Sequence, residues 1–278
     1  MSWTGVIATA VRRSARGVGT EREIGTGDPI PEVGITPVTF TSEGAPVEAI
    51  LYRRPAPGGR VPALVVSTGA GRNLKRMEWL SLPLAQRGYV VLTQRYRDHG
   101  TRFHLRDEVD IGSAISYLER LPDVDARRVG IAGHSRGGSA VLRAAAKDAR
   151  VRSTAALAGP TDYERWTRGI QHYSPSTYSS SIKRYGVAPD EDPEYFRAIS
   201  PISYARQIKT PVLIVQGASD LRTPADHAQW MYDALVAAGH PRVQLEMLQG
   251  MGHSFETGGG YGFETVVAIV GRWFAETL

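Results

Sequence analysis

Short apolar runs alternate along this chain with longer helix-forming stretches. The strand-type runs are 38–41, 47–52, 63–67, 89–93, 129–132, 154–157, 212–215 and 243–248. The helix-type stretches are 75–86, 105–121, 138–147, 224–238 and 263–276. Ser42-Glu43-Gly44-Ala45-Pro46 separates the first two runs as a hairpin turn. After that hairpin, strands and helices take turns. The pattern predicts an α/β fold, a doubly wound, mostly parallel β-sheet of about eight strands. The expected domain covers 38–278. Residues 1–37 form a lead-in segment, rich in Gly and Pro over 21–37.

One stretch breaks the rhythm. From 159 to 207 there is no clean strand, but Tyr163, Trp166, Tyr173, Tyr178, Tyr185, Tyr195 and Phe196 crowd into it. It is too long for a bare connection in a compact domain. A small helical cap insertion over 159–207 is expected, with Tyr163, Trp166, Tyr173 and Tyr178 as candidate pocket walls.

Composition narrows the classes. The chain has 278 residues, 42% hydrophobic and 22% charged, an ordinary balance for a globular protein with no membrane-spanning run. There is no cysteine, which excludes disulfides, thiolate metal sites and a cysteine nucleophile. The net charge of +5 comes from 29 arginines and 4 lysines against 28 acids. The arginines are scattered, with no basic tail or aromatic-interleaved patch, so no nucleic-acid partner is expected. Near the N-terminus the apolar run 6–11 is short, and Arg12, Arg13 and Arg16 follow it. A secretory signal has its charges first and a longer core. Segment 1–20 reads instead as a short amphipathic helix or a frayed end of a cytoplasmic protein, a monomer or homodimer.

Candidate chemistry starts at Gly133-His134-Ser135-Arg136-Gly137-Gly138. A strand-type run precedes it and a strong helix former follows. That context turns G-x-S-x-G into a nucleophile elbow, with Ser135 projecting from the top of the sheet. Gly133 and Gly137 keep the turn free of Cβ clashes. A serine nucleophile needs a base, and the base an orienting acid. Asp220 lies on the loop after 212–215, and His253 on the Gly-rich loop after 243–248. Asp220 alone reads equally as a helix cap, but Thr223 before Pro224 is the better N-cap and leaves Asp220 free. Of the seven histidines, His99, His104, His172, His227 and His240 lack the strand–loop placement, and His134 reads as packing. Asp162 is the rival acid, one strand too early. The oxyanion hole needs two backbone N–H groups. Arg136 supplies one, its side chain reading as a surface feature. Ala70 in the loop Thr68-Gly69-Ala70-Gly71 supplies the other, with Gly69 and Gly71 as alternatives. Gly69, Gly71, His134 and Phe255 join the candidate pocket. No metal-ligand cluster or dinucleotide fingerprint is present, and no cofactor or metal is expected.

Ser200-Pro201-Ile202-Ser203-Tyr204-Ala205, Ile208, Thr210-Pro211, Gly217, Asp220, Pro224 and Gly252-His253 together carry a further resemblance. From about 38 to 278 the chain resembles the catalytic domain of the prolyl oligopeptidase family of α/β-hydrolases. The resemblance implies Ser135, Asp220 and His253 as triad and Ala70 as a backbone oxyanion donor. Only about 37 residues precede the first strand, so the expectation is a member without the family's β-propeller. Where some members carry an oxyanion tyrosine, Thr68 stands here. No paired glutamates can be assigned to gripping a peptide amino terminus. These departures point to a small-molecule ester, with a peptide or amide as the alternative and acyl transfer or non-catalytic binding behind both.

Overall fold

A computed structural model describes residues 31–55, 58–97 and 102–278. The segment 1–20 and His99, both read above, lie outside them. Along the described residues come β1 (Gly34–Ser42), β2 (Ala45–Arg53), β3 (Val61–Ser67), α1 (Glu78–Gln86), β4 (Val90–Gln94) and α2 (Asp107–Glu119). Then follow β5 (Val124–His134), α3 (Arg136–Lys147), β6 (Val151–Leu157), α4 (Tyr163–Tyr173), α5 (Pro175–Tyr185) and α6 (Pro193–Ile199). The chain closes with β7 (Val212–Gly217), α7 (Asp226–Ala237), β8 (Val243–Leu248), the short pair β9 (Glu256–Thr257) and β10 (Gly260–Tyr261), and α8 (Phe263–Thr277).

Among the described residues, eight strands form one sheet in the order β1-β2-β4-β3-β5-β6-β7-β8. β2 runs antiparallel to β1 and β4. Every other neighbouring pair is parallel. This is the mostly parallel, doubly wound sheet that the alternation predicts. Winding goes from β3 out to β4, then reverses across β3 to β5 and onward. The carboxyl ends of β3 and β5 therefore flank the switch point, where open α/β sheets leave a crevice.

The inner parallel strands are largely apolar on both faces because helices cover both, whereas the edge strand β8 alternates, with Gln244 and Glu246 on its polar face. In β3, Ala63 and Val65 face the core under α2 and α3, which contribute Ile111, Ile115, Val141 and Leu142. Leu64 and Val66 face the opposite core, with Leu80 and Leu84 of α1 and Val270 and Phe274 of α8. β7 divides the same way, Val212 and Ile214 to one core, Leu213 and Val215 to the other. Between β6 and β7, α4, α5 and α6 build a third apolar cluster from Tyr163, Tyr185, Val187, Tyr195, Phe196 and Ile199.

Several boundaries differ from the sequence expectation, each for a local reason. β1 begins at Gly34, inside the Gly/Pro-rich lead-in, because it pairs with β2 along its whole length; Pro37 is tolerated on this edge strand. Residues 74–77 form a 3₁₀ turn, its start capped by Asn73, before α1 begins at Glu78. α3 starts at Arg136, two residues ahead of Gly138. Helix α7 starts at Asp226 with no side-chain cap, so Thr223 is not an N-cap. The two-residue strands β9 and β10 are too short to leave a period in the sequence.

The sharpest turn follows β5. Ser135 sits between β5 and α3 at φ 59°, ψ −119°, a region nearly closed to residues with a Cβ. Its N–H donates to the Leu157 carbonyl at 2.8 Å, which ties the elbow to β6. A methyl group on Gly133 would overlap the backbone of Gly137, and one on Gly137 would overlap the Ser67 carbonyl. Backbone cannot yield as a side-chain tip can. Gly137→Ala is therefore expected to cost about 2–3 kcal/mol in urea unfolding. Gly71→Ala, whose Cβ would meet nothing within 4 Å, is the control and is expected to unfold like the wild type. Equal midpoints for both variants would remove the close approach as a constraint.

Candidate active site

Three loops bring three side chains into line. His253 Nε2 lies 2.9 Å from Ser135 Oγ, and His253 Nδ1 lies 2.8 Å from Asp220 Oδ2. A carboxylate only accepts, so Nδ1 carries the proton and Nε2 is free to accept from the serine hydroxyl. Asp220 is held from several sides. Its Oδ1 accepts from the Arg222 and Thr223 N–H groups, each at 2.8 Å. Its Oδ2 also accepts from Gln216 Nε2 at 2.9 Å. Burial raises the Asp220 carboxyl. The His253 hydrogen bond and charge, the Thr223 N–H and Gln216 together outweigh it and hold the group below the usual carboxylate range. Asp220 thus both faces His253 and closes its own loop. The rival Asp162 instead caps α4, accepting from the Arg165 N–H at 3.0 Å.

The other predicted residues fall into two groups. A Cβ on Gly69 would stand 3.4 Å from the Ser135 Cβ, so the loop after β3 lies against the elbow. Ala70 and Gly71, next along this loop, are exposed. Tyr173 is 52% exposed and close enough to Asp220 for that charge to raise its hydroxyl pKa, after burial. Trp166 donates its indole N–H to the Arg222 carbonyl at 2.8 Å, joining α4 to the Asp220 loop. Tyr178 is half-buried on α5. Tyr163 and Phe255 belong to the interior instead, both buried. Tyr163 packs its ring against Tyr185 of α5 and against His104, which stands just ahead of α2.

His134 does more than pack. Its Nε2–H donates to the His253 carbonyl at 2.7 Å, and its ring lies 5.0 Å from the His253 ring. Behind it runs an aromatic stack. Phe255 lies 5.9 Å from His134, Trp79 6.0 Å from Phe255, Phe263 4.5 Å from Trp79 and Tyr261 4.7 Å from Phe263. Phe255 itself takes φ 57°, a conformation kept by the packing around it. The stack buttresses the loop that presents His253.

The Arg136 side chain is not on the surface. It is buried, donates from Nε and Nη2 to the two Asp107 oxygens at 2.9 and 2.5 Å, and lies with its guanidinium carbon 4.4 Å over the Tyr96 ring. Sequence reasoning missed Asp107 altogether. An acid in the first turn of a helix reads as a partner for the helix dipole, which gave no sign of a buried arginine opposite. Among the described residues, no group of three His, Asp or Glu side chains is arranged to hold a metal ion, and no helix is long and apolar enough to cross a membrane.

A model of the prolyl oligopeptidase family matches residues 76–278. The chain belongs to the prolyl oligopeptidase family. Membership makes it a serine hydrolase. It is 29% identical over 221 residues to the acylamino-acid-releasing enzyme of Rattus norvegicus, matching 70% of this chain and 29% of that one. It is 26% identical over 188 residues to esterase LipC of Mycobacterium tuberculosis, matching 62% of this chain and 47% of that one. An acylaminoacyl peptidase from Pyrococcus horikoshii superposes with a TM-score of 0.78 at 18% identity, over 100% of this chain and 44% of its own. The chain spans less than half the length of these relatives. The last likeness establishes the α/β-hydrolase fold.

Three histidines stay neutral in this family member's fold at ordinary pH. Burial first, then neighbouring charge, lowers His104, His134 and His227 to about 4 each. His227 also accepts the Thr161 and Asp162 N–H groups at its Nδ1, at 3.3 and 3.4 Å, which a proton there would break. Below about pH 6.5 the unfolded chain takes up protons that the fold refuses, so stability falls as pH drops toward 4. Each histidine contributes a slope of up to about 1.4 kcal/mol per pH unit. Unfolding free energies from urea titrations between pH 4.5 and 7 are expected to show this decline. His227→Gln is expected to flatten it by about one proton. An unchanged slope in that variant would mean that His227 titrates in the fold as it does outside it.

Proposed function

We propose that the chain is a serine carboxylesterase acting on small esters through an acyl-enzyme. The observation that carries this reading is the unbroken line from Asp220 through His253 to the Ser135 hydroxyl, at 2.8 and 2.9 Å. Ser135 Oγ attacks the ester carbonyl while His253 Nε2 takes its proton. Asp220 holds the imidazole tautomer and balances the imidazolium. The backbone N–H groups of Arg136 and Ala70 receive the oxyanion. His253 then gives its proton to the departing alkoxide oxygen as the acyl–oxygen bond breaks. Water repeats the sequence on the acyl-enzyme and returns Ser135.

Two considerations favour an ester over an amide. An alkoxide leaves more readily than an amine, so the chemistry asks less of His253. The relative named an esterase supports the same choice. The relative named for releasing acylamino acids supports the second reading, cleavage of a short acyl-peptide. The half-exposed Tyr173 and the 85%-exposed Leu221 beside Asp220 would then offer an apolar rim for either substrate.

Ser135→Ala is expected to lose turnover by about 10⁴-fold or more and to lose all labelling by a fluorophosphonate. Labelling retained in that variant would place the nucleophile elsewhere. A panel of p-nitrophenyl esters against aminoacyl and acyl-peptidyl anilides orders the two readings. Higher kcat/KM for esters is expected; a preference for anilides would reverse the order.

A further inference from the structure

The residue after the nucleophile carries a buried charge that the acyl-transfer steps do not use. Arg136 is the first residue of α3, so its backbone N–H lies at the helix end nearest Ser135. Its side chain turns away from the solvent and grips Asp107, the first residue of α2, through both nitrogens of its fork. Tyr96 covers the guanidinium from one side. Asp107 also meets His104 Nδ1 at 3.2 Å and Arg143 Nη2 at 3.6 Å. Arg143 donates to the His104 carbonyl at 2.6 Å and stands 3.2 Å from Glu108, which in turn pairs with Lys147. Arg136, Arg143 and Lys147 fall on one face of α3, at spacings of seven and four. That face is clamped to the first turn of α2.

Stability alone does not account for this arrangement. A cation at a helix N-terminus opposes the helix dipole. A buried ion pair is also often no more stabilising than well-packed apolar side chains of similar volume. Arg136 bears both costs at the residue whose N–H faces the developing oxyanion. Rotating the first turn of α3 would misdirect that N–H, and only a bidentate, planar contact resists rotation in two directions.

We propose that the Asp107–Arg136 pair is a positioning device that fixes the direction of the Arg136 N–H toward the oxyanion. The inference rests on the acyl-transfer reading of Ser135. Arg136 acts here through its own backbone, and Asp107 through Arg136. Neither side chain touches the substrate. Stabilisation specific to the transition state is what the pair supplies, so its loss falls on kcat and leaves KM nearly unchanged.

The test is the Asp107→Leu/Arg136→Met double variant, which removes both charges together and leaves none buried alone. Fluorophosphonate titration first counts the reactive serines. Failure of the wild type to label at Ser135 would overturn the acyl-transfer reading, and the positioning role with it. With Ser135 labelled, the double variant is expected to keep its melting temperature within a few degrees. Its kcat on a p-nitrophenyl ester should fall about 10- to 100-fold at constant KM. Affinity for an alkyl boronic acid, whose tetrahedral adduct puts an oxygen in the oxyanion hole, should weaken by a similar factor. A folded double variant with wild-type kcat and wild-type boronate affinity would overturn the proposal while leaving the function intact. Arg136→Lys is the second variant, decisive if the double variant does not fold. It keeps the charge but loses the fork, and is expected to lose several-fold in kcat and in boronate affinity together. Wild-type values in Arg136→Lys, or a rise in KM with kcat unchanged, would equally sink the positioning role.

Discussion

A serine holds φ 59° only where everything around it leaves no alternative. That constraint organises the rest of the molecule. β5 must end and α3 must begin on either side of one residue, so Gly133, Gly137 and the end of β3 close to backbone contact. The switch point between β3 and β5 puts this turn at the crevice of the sheet. Ser135 N–H to Leu157 links the turn to β6, the next strand outward. The strain is affordable because both faces of the sheet beneath it are packed with buried aliphatic side chains.

The same turn explains why the charged cluster lies where it does. Beginning α3 directly after Ser135 gives its first residue no room to reach solvent, and the Arg136 side chain goes inward. Once inside, it needs a full partner, and burial alone would raise the Asp107 carboxyl. The Arg136 charge and hydrogen bonds, with His104, overcome that and hold Asp107 well below the usual carboxylate range. The result is a polar layer beneath the elbow, bounded by Tyr96 and the Tyr163 ring and running along one face of α3. On the opposite side of the site the support is of another kind. There His134 and the aromatic stack from Phe255 to Tyr261 carry the His253 loop with ring contacts and one hydrogen bond.

Legibility in the sequence follows from whether a feature is local. The parallel strands are readable because each is a short apolar run, most with a helix former after it. Ser135, Asp220 and His253, which the structure brings within hydrogen-bond distance of one another, each follow such a run on a loop, in a fixed order. What escaped depended on pairing across the fold. Arg136 looked like a surface residue because nothing near it in sequence announces Asp107, 29 positions earlier. Thr223 looked like the cap of α7, but the loop closes earlier around Asp220, and a propensity cannot see that competition. Gly34 to Pro37 looked irregular, yet edge pairing to β2 overrides their composition. His134 was read as packing because its partner is a backbone carbonyl, which every residue carries.

The residues around Ser135 and those of the insertion also differ in origin. The elbow and the Asp220 loop grow from strands whose ends are buried on both faces, and the His253 loop from β8, half-buried at the sheet edge. Tyr173 and Trp166 belong to α4, in an insertion with an apolar cluster of its own. Trp166 Nε1 to the Arg222 carbonyl is a direct link from that insertion to the acid's loop. Substitutions inside the insertion can therefore change its surface while the sheet still holds Ser135, Asp220 and His253 in place. Changes at Trp166 differ, because they bear on the loop that aims Asp220. The Trp166 hydrogen bond joins the Thr161 and Asp162 N–H contacts to His227 in anchoring the insertion beside the carboxyl ends of the strands.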